Sequence, residues 1–445
     1  MRDLSGTNLE AAQKAMGKAI WKIVLDGTTY TNTRVIDINH TEQPNHQGAT
    51  VVLDNSDNVL TGEDYKGVDA VISYGYVDEY SATIPLKVIS HRLTSSRTGR
   101  PLTCTLQLEG LSDIRDKEGA TVATTYDRLD TNTVQDLINF IAGGASGCYS
   151  THSEFIVHYD GNDTLIDVFK PKDSFRINLN DTRQDKIREL LEYTQSVGLW
   201  KANGEYYIFV PTTEGETYAY QYSLASGSHN FYSKSYEKRL VLPNYFIVST
   251  HPEHEGTAYS GYKHDSTSYG LLPFKTTKYL RLDDDDQGEY IATAMLARAK
   301  INSSQGSGIV PMNVGAEVYD YVEVTDAREG GSSRTGNIGQ LNRHCAPGIF
   351  EMSFSFGKLG IVPMPSYAVA GVTGADGDVA DYTDLVNTVN DLVKAYNKLQ
   401  EWAGEVNTTF TAIENYIVAH QYIDEFLVLS ISQRLQIPMG ANMYT

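Results

Sequence analysis

Ile20-Trp21-Lys22-Ile23-Val24-Leu25-Asp26-Gly27 is the stretch on which the fold class turns. Trp21, Ile23 and Leu25 alternate with Lys22 and Val24, a period of two that puts three large apolar side chains on one face of a strand. Asp26-Gly27 then offers two residues that tolerate positive φ, as a two-residue hairpin turn requires. The following hundred or so residues keep this texture. Strands are predicted over 34–39, 49–54, 68–74, 84–93 and 102–109, with turns at Asp54-Asn55-Ser56-Asp57, Tyr65-Lys66-Gly67 and Arg97-Thr98-Gly99. Short strands at this spacing predict a sandwich or a barrel.

On either side of that module the period changes. Residues 1–18 read as a short polar helix with Leu9, Ala12 and Met16 on one side. Past Gly110, Thr133 is placed to cap a helix over 134–142 whose Leu137, Ile138 and Ile141 share a face. A second helix begins after Asn180-Asp181-Thr182, carries Ile187, Leu190, Leu191 and Val197, and is expected to stop at Gly198. A strand over 205–210 completes an α+β insertion. A second β module follows, with strands over 245–250, 278–282, 309–312, 320–325 and 352–356. Its one helix, 287–300, turns Ala292, Met295, Leu296 and Ala299 inward.

Beyond a Gly/Ala/Asp-rich linker, the chain has its most regular pattern. Leu385, Val389, Leu392, Tyr396, Leu399, Ala403, Val406, Phe410, Ile413 and Ile417 are separated by steps of four and three in strict alternation. That run exceeds the three to four heptads that define a coiled coil. With Leu385 at d, Val386 and Val393 fall at e, while Ala395, Trp402 and Tyr416 fall at g. Such flanks widen the apolar face, and Tyr396 and Phe410 at a need more room than a dimer seam gives, so three helices are expected to meet. These readings divide the chain into an N-terminal arm (1–18), a first β domain (19–112), an inserted α+β domain (113–237) and a second β domain (238–362). A linker (363–380), a coiled-coil helix (381–437) and a tail (438–445) complete it.

Composition narrows the function. The 445 residues carry a net charge of −20, which argues against a nucleic-acid-binding surface and fits either simple solubility or an acidic wall past which DNA slides. Thirty tyrosines against three tryptophans favour a β-rich body. No window has the 18 consecutive apolar residues of a membrane span, and the first residues lack a signal-peptide core, so Sec export is not expected. Cys104, Cys148 and Cys345 are far apart and form neither a metal pair nor a disulfide framework.

Candidate chemical groups each have a simpler explanation. His251-Pro252-Glu253-His254-Glu255 cannot be helical through Pro252, so it lacks the spacing that aims two imidazoles at zinc. Asp283–Asp286 is contiguous, whereas calcium loops use alternate residues; acids before a helix favour its dipole and cap its N–H groups. Glu109 with Asp113, or Glu189 with Glu192, could be paired as glycosidase carboxylates, but nothing fixes their separation. Gly330-Gly331-Ser332-Ser333 and Gly336 read as a flexible loop without a phosphate-cradle ending. No catalytic residue, metal site or cofactor is expected.

Three strings carry a resemblance. They are Val51-Val52-Leu53-Asp54-Asn55-Ser56-Asp57 with Lys66-Gly67-Val68-Asp69-Ala70-Val71-Ile72, then Pro85-Leu86-Lys87-Val88-Ile89 with Leu106-Gln107-Leu108-Glu109-Gly110-Leu111, and Asp320-Tyr321-Val322-Glu323-Val324-Thr325-Asp326 with Gly336-Asn337-Ile338-Gly339 and Phe354-Ser355-Phe356-Gly357. Over residues 20–360 the chain resembles the tail-hub, or baseplate-hub, proteins of phages, prophages and related injection particles. The resemblance implies a mainly β chain with two tail-tube-like barrel or sandwich domains, an α+β insertion and, from the heptads, a trimeric C-terminal coiled coil. A homotrimer would present six tube-like domains to the tube and threefold symmetry to a spike or fibre. The expected role is structural, in a virion assembled in the host cytoplasm. Tail tube, distal tail, spike or fibre and tape-measure proteins are the expected partners, and the helical bundle is placed to plug the channel until DNA ejection. A tail-associated peptidoglycan hydrolase and a carbohydrate-binding β-sandwich adhesin are the rival readings.

Overall fold

The structure, a computed structural model, describes residues 2–357 apart from 5, 95–101, 124–130, 144–146, 253, 255 and 331. The opening hairpin forms as its sequence dictates. Ala19–Leu25 pairs with Thr28–Thr31 and Leu25 lies opposite Thr28, which leaves Asp26 and Gly27 as the turn at φ 44° and 79°. Trp21, Ile23 and Leu25 are buried. Each apolar side chain of this size stabilises the fold by about 1.5–3 kcal/mol on leaving water.

This hairpin is one end of a fourteen-stranded sheet. From Thr28–Thr31 the path runs through Ala19–Leu25, Asp69–Tyr76, Leu86–Thr94, Thr103–Gly110, His46–Asp54 and Val35–Gln43. It continues through Ser332–Ala346, Ile349–Phe356 and Ser304–Pro311 to Ser233–Lys238. Glu79–Ala82 pairs beside Asp69–Tyr76, and Tyr321–Asp326 links Ser332–Ala346 to Tyr220–Ser223. Every pairing is antiparallel except that last one. The chain is therefore mainly β with few helices, and of the two forms expected, a sandwich or a barrel, its strands do not close into barrels. The reason lies in Val35–Gln43. Its free edge, which could have closed the first module on itself, pairs instead with Ser332–Ala346, from Leu341 opposite Glu42 to Cys345 opposite Ile38. Ala19–Leu25, which could have met it, pairs with Thr28–Thr31; across that gap Trp21 Nε1 donates to the Val35 carbonyl at 3.1 Å.

Ser332–Ala346 corrects the loop read at Gly330-Gly331-Ser332-Ser333 and Gly336; Gly331 itself lies outside the described residues. Gly336 belongs in this strand because the Phe356 ring lies on it: a Cβ there would come within 2.8 Å of Phe356 Cγ. The N-terminal helix is also shorter than predicted. It spans Leu9–Lys14 and buries Leu9 and Gln13, whereas Met16 has φ 51° and points to solvent.

The insertion holds helices Leu111–Arg115, Val134–Ala142 and Arg183–Leu191, with a small sheet of Val197–Trp200, Tyr206–Phe209 and Val157–Tyr159. Val134–Ala142 starts where Thr133 and Asp136 cap each other's backbone N–H groups. Arg183 is buried and ends that helix from outside: its Nε donates to the Ile141 carbonyl at 2.9 Å and its Nη2 to that of Ala142 at 2.6 Å. Gly198 does not stop a helix. It lies in a strand where the Tyr206 ring crosses it, and a Cβ would sit 1.9 Å from the phenol oxygen.

Tyr245–Thr250 and Lys275–Leu280 join Ser260–His264 in a sheet of their own, apart from the large one. The helix Asp285–Ser303 covers one face, so closely that a Cβ on Gly261 would meet the Glu289 backbone nitrogen at 2.0 Å.

Candidate assembly site

Where Val35–Gln43 pairs with Ser332–Ala346, the seam is lined by charge. Glu42 Oε1 lies 3.4 Å from Arg343 Nε, 3.5 Å from Arg2 Nη2 and 3.8 Å from His40 Nδ1, with all four side chains buried. Burial pushes the Glu42 carboxyl upward, but Arg343 and Arg2 outweigh it and hold Glu42 below its ordinary range. Burial pushes His40 down to about 4, so at neutral pH it is an uncharged ring beside Glu42, held 3.1 Å from the Tyr74 hydroxyl. Arg2 Nη1 also donates to the Val314 carbonyl at 2.9 Å, and Arg343 Nη2 donates to that of Ala316 at 2.5 Å. Gln13 donates to the Tyr220 hydroxyl and accepts from Val314 N. Arg2 and Gln13 therefore tie the start of the chain to Glu42, Tyr220 and Val314.

Away from the seam, exposed apolar side chains gather in one place. Val241 N donates to Ser268 Oγ, and Asn244 bonds the carbonyls of Leu272 and Phe274. These contacts align residues 240–244 with 268–274 and bring Leu240, Leu242, Leu271, Leu272 and Phe274 into one region, all exposed. Beside it, the face of the small sheet not covered by its helix carries a run of rings. Tyr245 stacks on Tyr262 at 5.6 Å and on His264 at 5.4 Å, and Lys275 Nζ lies 4.9 Å from the Tyr245 centroid. Tyr262 remains 58% exposed and Leu271 72%. A cluster of exposed apolar and aromatic side chains of this kind is a candidate interaction site.

A groove of about 650 Å³ separates the inserted sheet from the loops around Thr217 and Tyr319. Tyr207, Phe209, Tyr218 and Tyr321 line it, and His158 stacks on Tyr207 at 4.4 Å. Asn337 fixes its walls by donating to the carbonyls of Thr212, at 2.7 Å, and Tyr319, at 2.9 Å. Tyr319 has φ 71°, a left-handed conformation that a non-glycine residue adopts only under constraint.

The residues singled out from sequence scatter. Leu385, Val389, Leu392, Tyr396, Leu399, Ala403, Val406, Phe410, Ile413 and Ile417 lie outside the described residues, as do the linker, the tail, Glu253, Glu255 and the Arg97-Thr98-Gly99 turn. Asp284 caps the helix Asp285–Ser303 by accepting from Gln287 N at 2.7 Å, and Asp285 and Asp286 occupy its first turn. Glu109 is engaged by Lys117, and Asp113 by His46 and Gln47 N. Glu189 is 2.8 Å from Lys186 Nζ. Glu192 is pushed up by burial and faces Lys278, itself pushed down by burial. The three cysteines are buried thiols. Among the described residues no group of three His, Cys, Asp or Glu could hold a metal, and no helix is long and apolar enough to cross a membrane. Sequence reasoning missed the seam, the aromatic face and the groove. Only the density of tyrosines over 206–222 hinted at the last.

No protein-family model matches the chain, and no curated protein does. Solved structures do. A tail protein from Neisseria meningitidis MC58 superposes with TM-score 0.56 at 11% identity over 77% of this chain and 98% of its own. The 43 kDa tail protein of prophage MuSo2 from Shewanella oneidensis gives 0.53 at 12% over 76% and 98%. The described chain thus has a tail-protein fold. The resemblance to tail hubs read from the sequence is matched at the level of that fold.

Proposed function

We propose that this chain is a structural tail hub that closes the tail tube and adapts its sixfold symmetry to a threefold tip. One observation carries the reading: two β modules in a single chain share one open sheet, in a fold found in tail proteins. Three chains joined through the heptads from Leu385 to Ile417 would supply six modules around a channel. The exposed strand edges at Thr28–Thr31 and Ser233–Lys238 are suited to pairing with neighbouring chains, and the apolar region around Leu271 and Tyr262 to tail-tube, spike or fibre proteins. Tape-measure protein and passing DNA would meet an acidic inner wall that repels phosphate, consistent with the charge of −20. The role is structural rather than enzymatic, and the C-terminal bundle blocks the channel until host contact. Electron microscopy of the purified full-length chain tests this. Threefold rings with a central opening are expected; single-chain particles, or rings of another symmetry, would refute it.

A further inference from the structure

The groove beside Tyr319 has the chemistry of a binding site that an architectural role does not need. We propose that it binds a neutral oligosaccharide. Its volume of about 650 Å³ falls in the range of small-molecule sites, and Asn337 holds its walls in place without a ligand. Its walls are aromatic: Phe209 meets Tyr319 edge-on at 6.1 Å, and Tyr218 lies 5.4 Å from Tyr321. Such surfaces gain from an apolar ring face laid against them, which a pyranose offers through its C–H groups.

The charged groups at the groove are already committed. Lys201 Nζ lies 2.6 Å from Glu317 Oε2, and His158 Nε2 lies 2.8 Å from Glu205 Oε2. The Asp160 carboxylate accepts from Val210 N and Asn162 N, each at 3.0 Å, and that of Asp320 accepts from Glu317 N at 2.8 Å. An anion would have to take Lys201 from Glu317, whereas hydroxyls can share the existing bonds, since a carboxylate or phenol oxygen has further acceptor capacity. Aromatic walls, a lysine already paired and spare acceptor sites together select a neutral, hydroxyl-rich ligand over an anion or a hydrocarbon.

The test is titration of the full-length protein with chitohexaose, cellohexaose and maltohexaose, read by calorimetry and by saturation transfer from the tyrosine rings. At least one should bind. Tyr207→Ala and Tyr218→Ala, each changing a ring partly open to solvent, should weaken that binding by roughly five- to tenfold. Tyr262→Ala, which removes an equally aromatic surface elsewhere, should leave it unchanged. Melting curves establish that each variant is folded, and Tyr207→Phe, which keeps the ring, should retain most of the affinity. The proposal is overturned if none of the three sugars binds at about 10 mM. It is equally overturned if binding survives both groove substitutions or is lost with Tyr262→Ala.

Discussion

Replacing Glu42 with alanine should be among the most damaging single substitutions in the described chain. Its carboxylate is the shared anion of Arg343 and Arg2, and the side chains of Glu42, Arg343 and Arg2 are only 3%, 0% and 7% exposed. Removing it leaves two guanidinium groups in a dry seam, with Glu317 next, 3.9 Å from Arg2 Nε. Breaking one buried pair costs about 3–5 kcal/mol, and two cations share this one, so about 5 kcal/mol is expected. That is a large part of the roughly 5–15 kcal/mol that holds a typical fold. Glu42→Gln keeps the shape and removes the charge, and should cost nearly as much. Glu329→Ala, which breaks a half-exposed pair with Lys234, should cost under about 1 kcal/mol. Urea unfolding followed by tryptophan fluorescence, compared as midpoints at constant m, measures all three. A loss below about 1 kcal/mol for Glu42→Ala would refute the claim that this carboxylate secures the seam between the modules.

Acid should weaken the fold through histidine. Burial pushes His40 and His229 down to about 4 from 6.5, so their contribution is complete above pH 6.5 and is lost as pH falls toward 4, by up to about 3 kcal/mol each. His40→Gln should flatten the pH dependence of stability in that window, and an unchanged slope would contradict the assignment. Arg183→Lys keeps the charge but cannot reach the carbonyls of Ile141, Ala142 and Ser153 together; a thermal-denaturation loss of roughly 3 kcal/mol is expected. Gly261→Ala should cost at least about 1–3 kcal/mol, because the helix Asp285–Ser303 must move off its strand, and circular dichroism on melting would show it. Leu271→Lys should change stability by no more than about 0.5 kcal/mol yet reduce incorporation into assembled particles.

What could be read from sequence was local. The hairpin at Asp26-Gly27, the Thr133-capped helix and the strand Tyr245–Thr250 carry their instructions within a few residues, and all three form where predicted. Ser332–Ala346 carries fewer: its Ser332-Ser333 and Gly336 read as a loop until Phe356 is seen lying on Gly336. Val197 and Gly198 looked like the end of a helix because the Tyr206 ring that makes glycine necessary comes from the next strand. That the strands do not close into a barrel, one of the two forms expected, has a related cause. Pairing Arg343 with His40 spans some three hundred residues, and no periodicity reports which distant edge a strand will choose. The seam and the groove are made of such choices, so their residues could be identified only after folding brought them together. The opposite holds for the acids at Asp283–Asp286, whose place at a helix start was legible from their position alone.

The hub assignment depends most on the number of chains that act together. Light scattering of the full-length protein across a range of concentrations should give three times the 49.3 kDa chain mass, falling to one chain when residues 381–445 are removed. A full-length protein that stays at the mass of one chain at every concentration would contradict it.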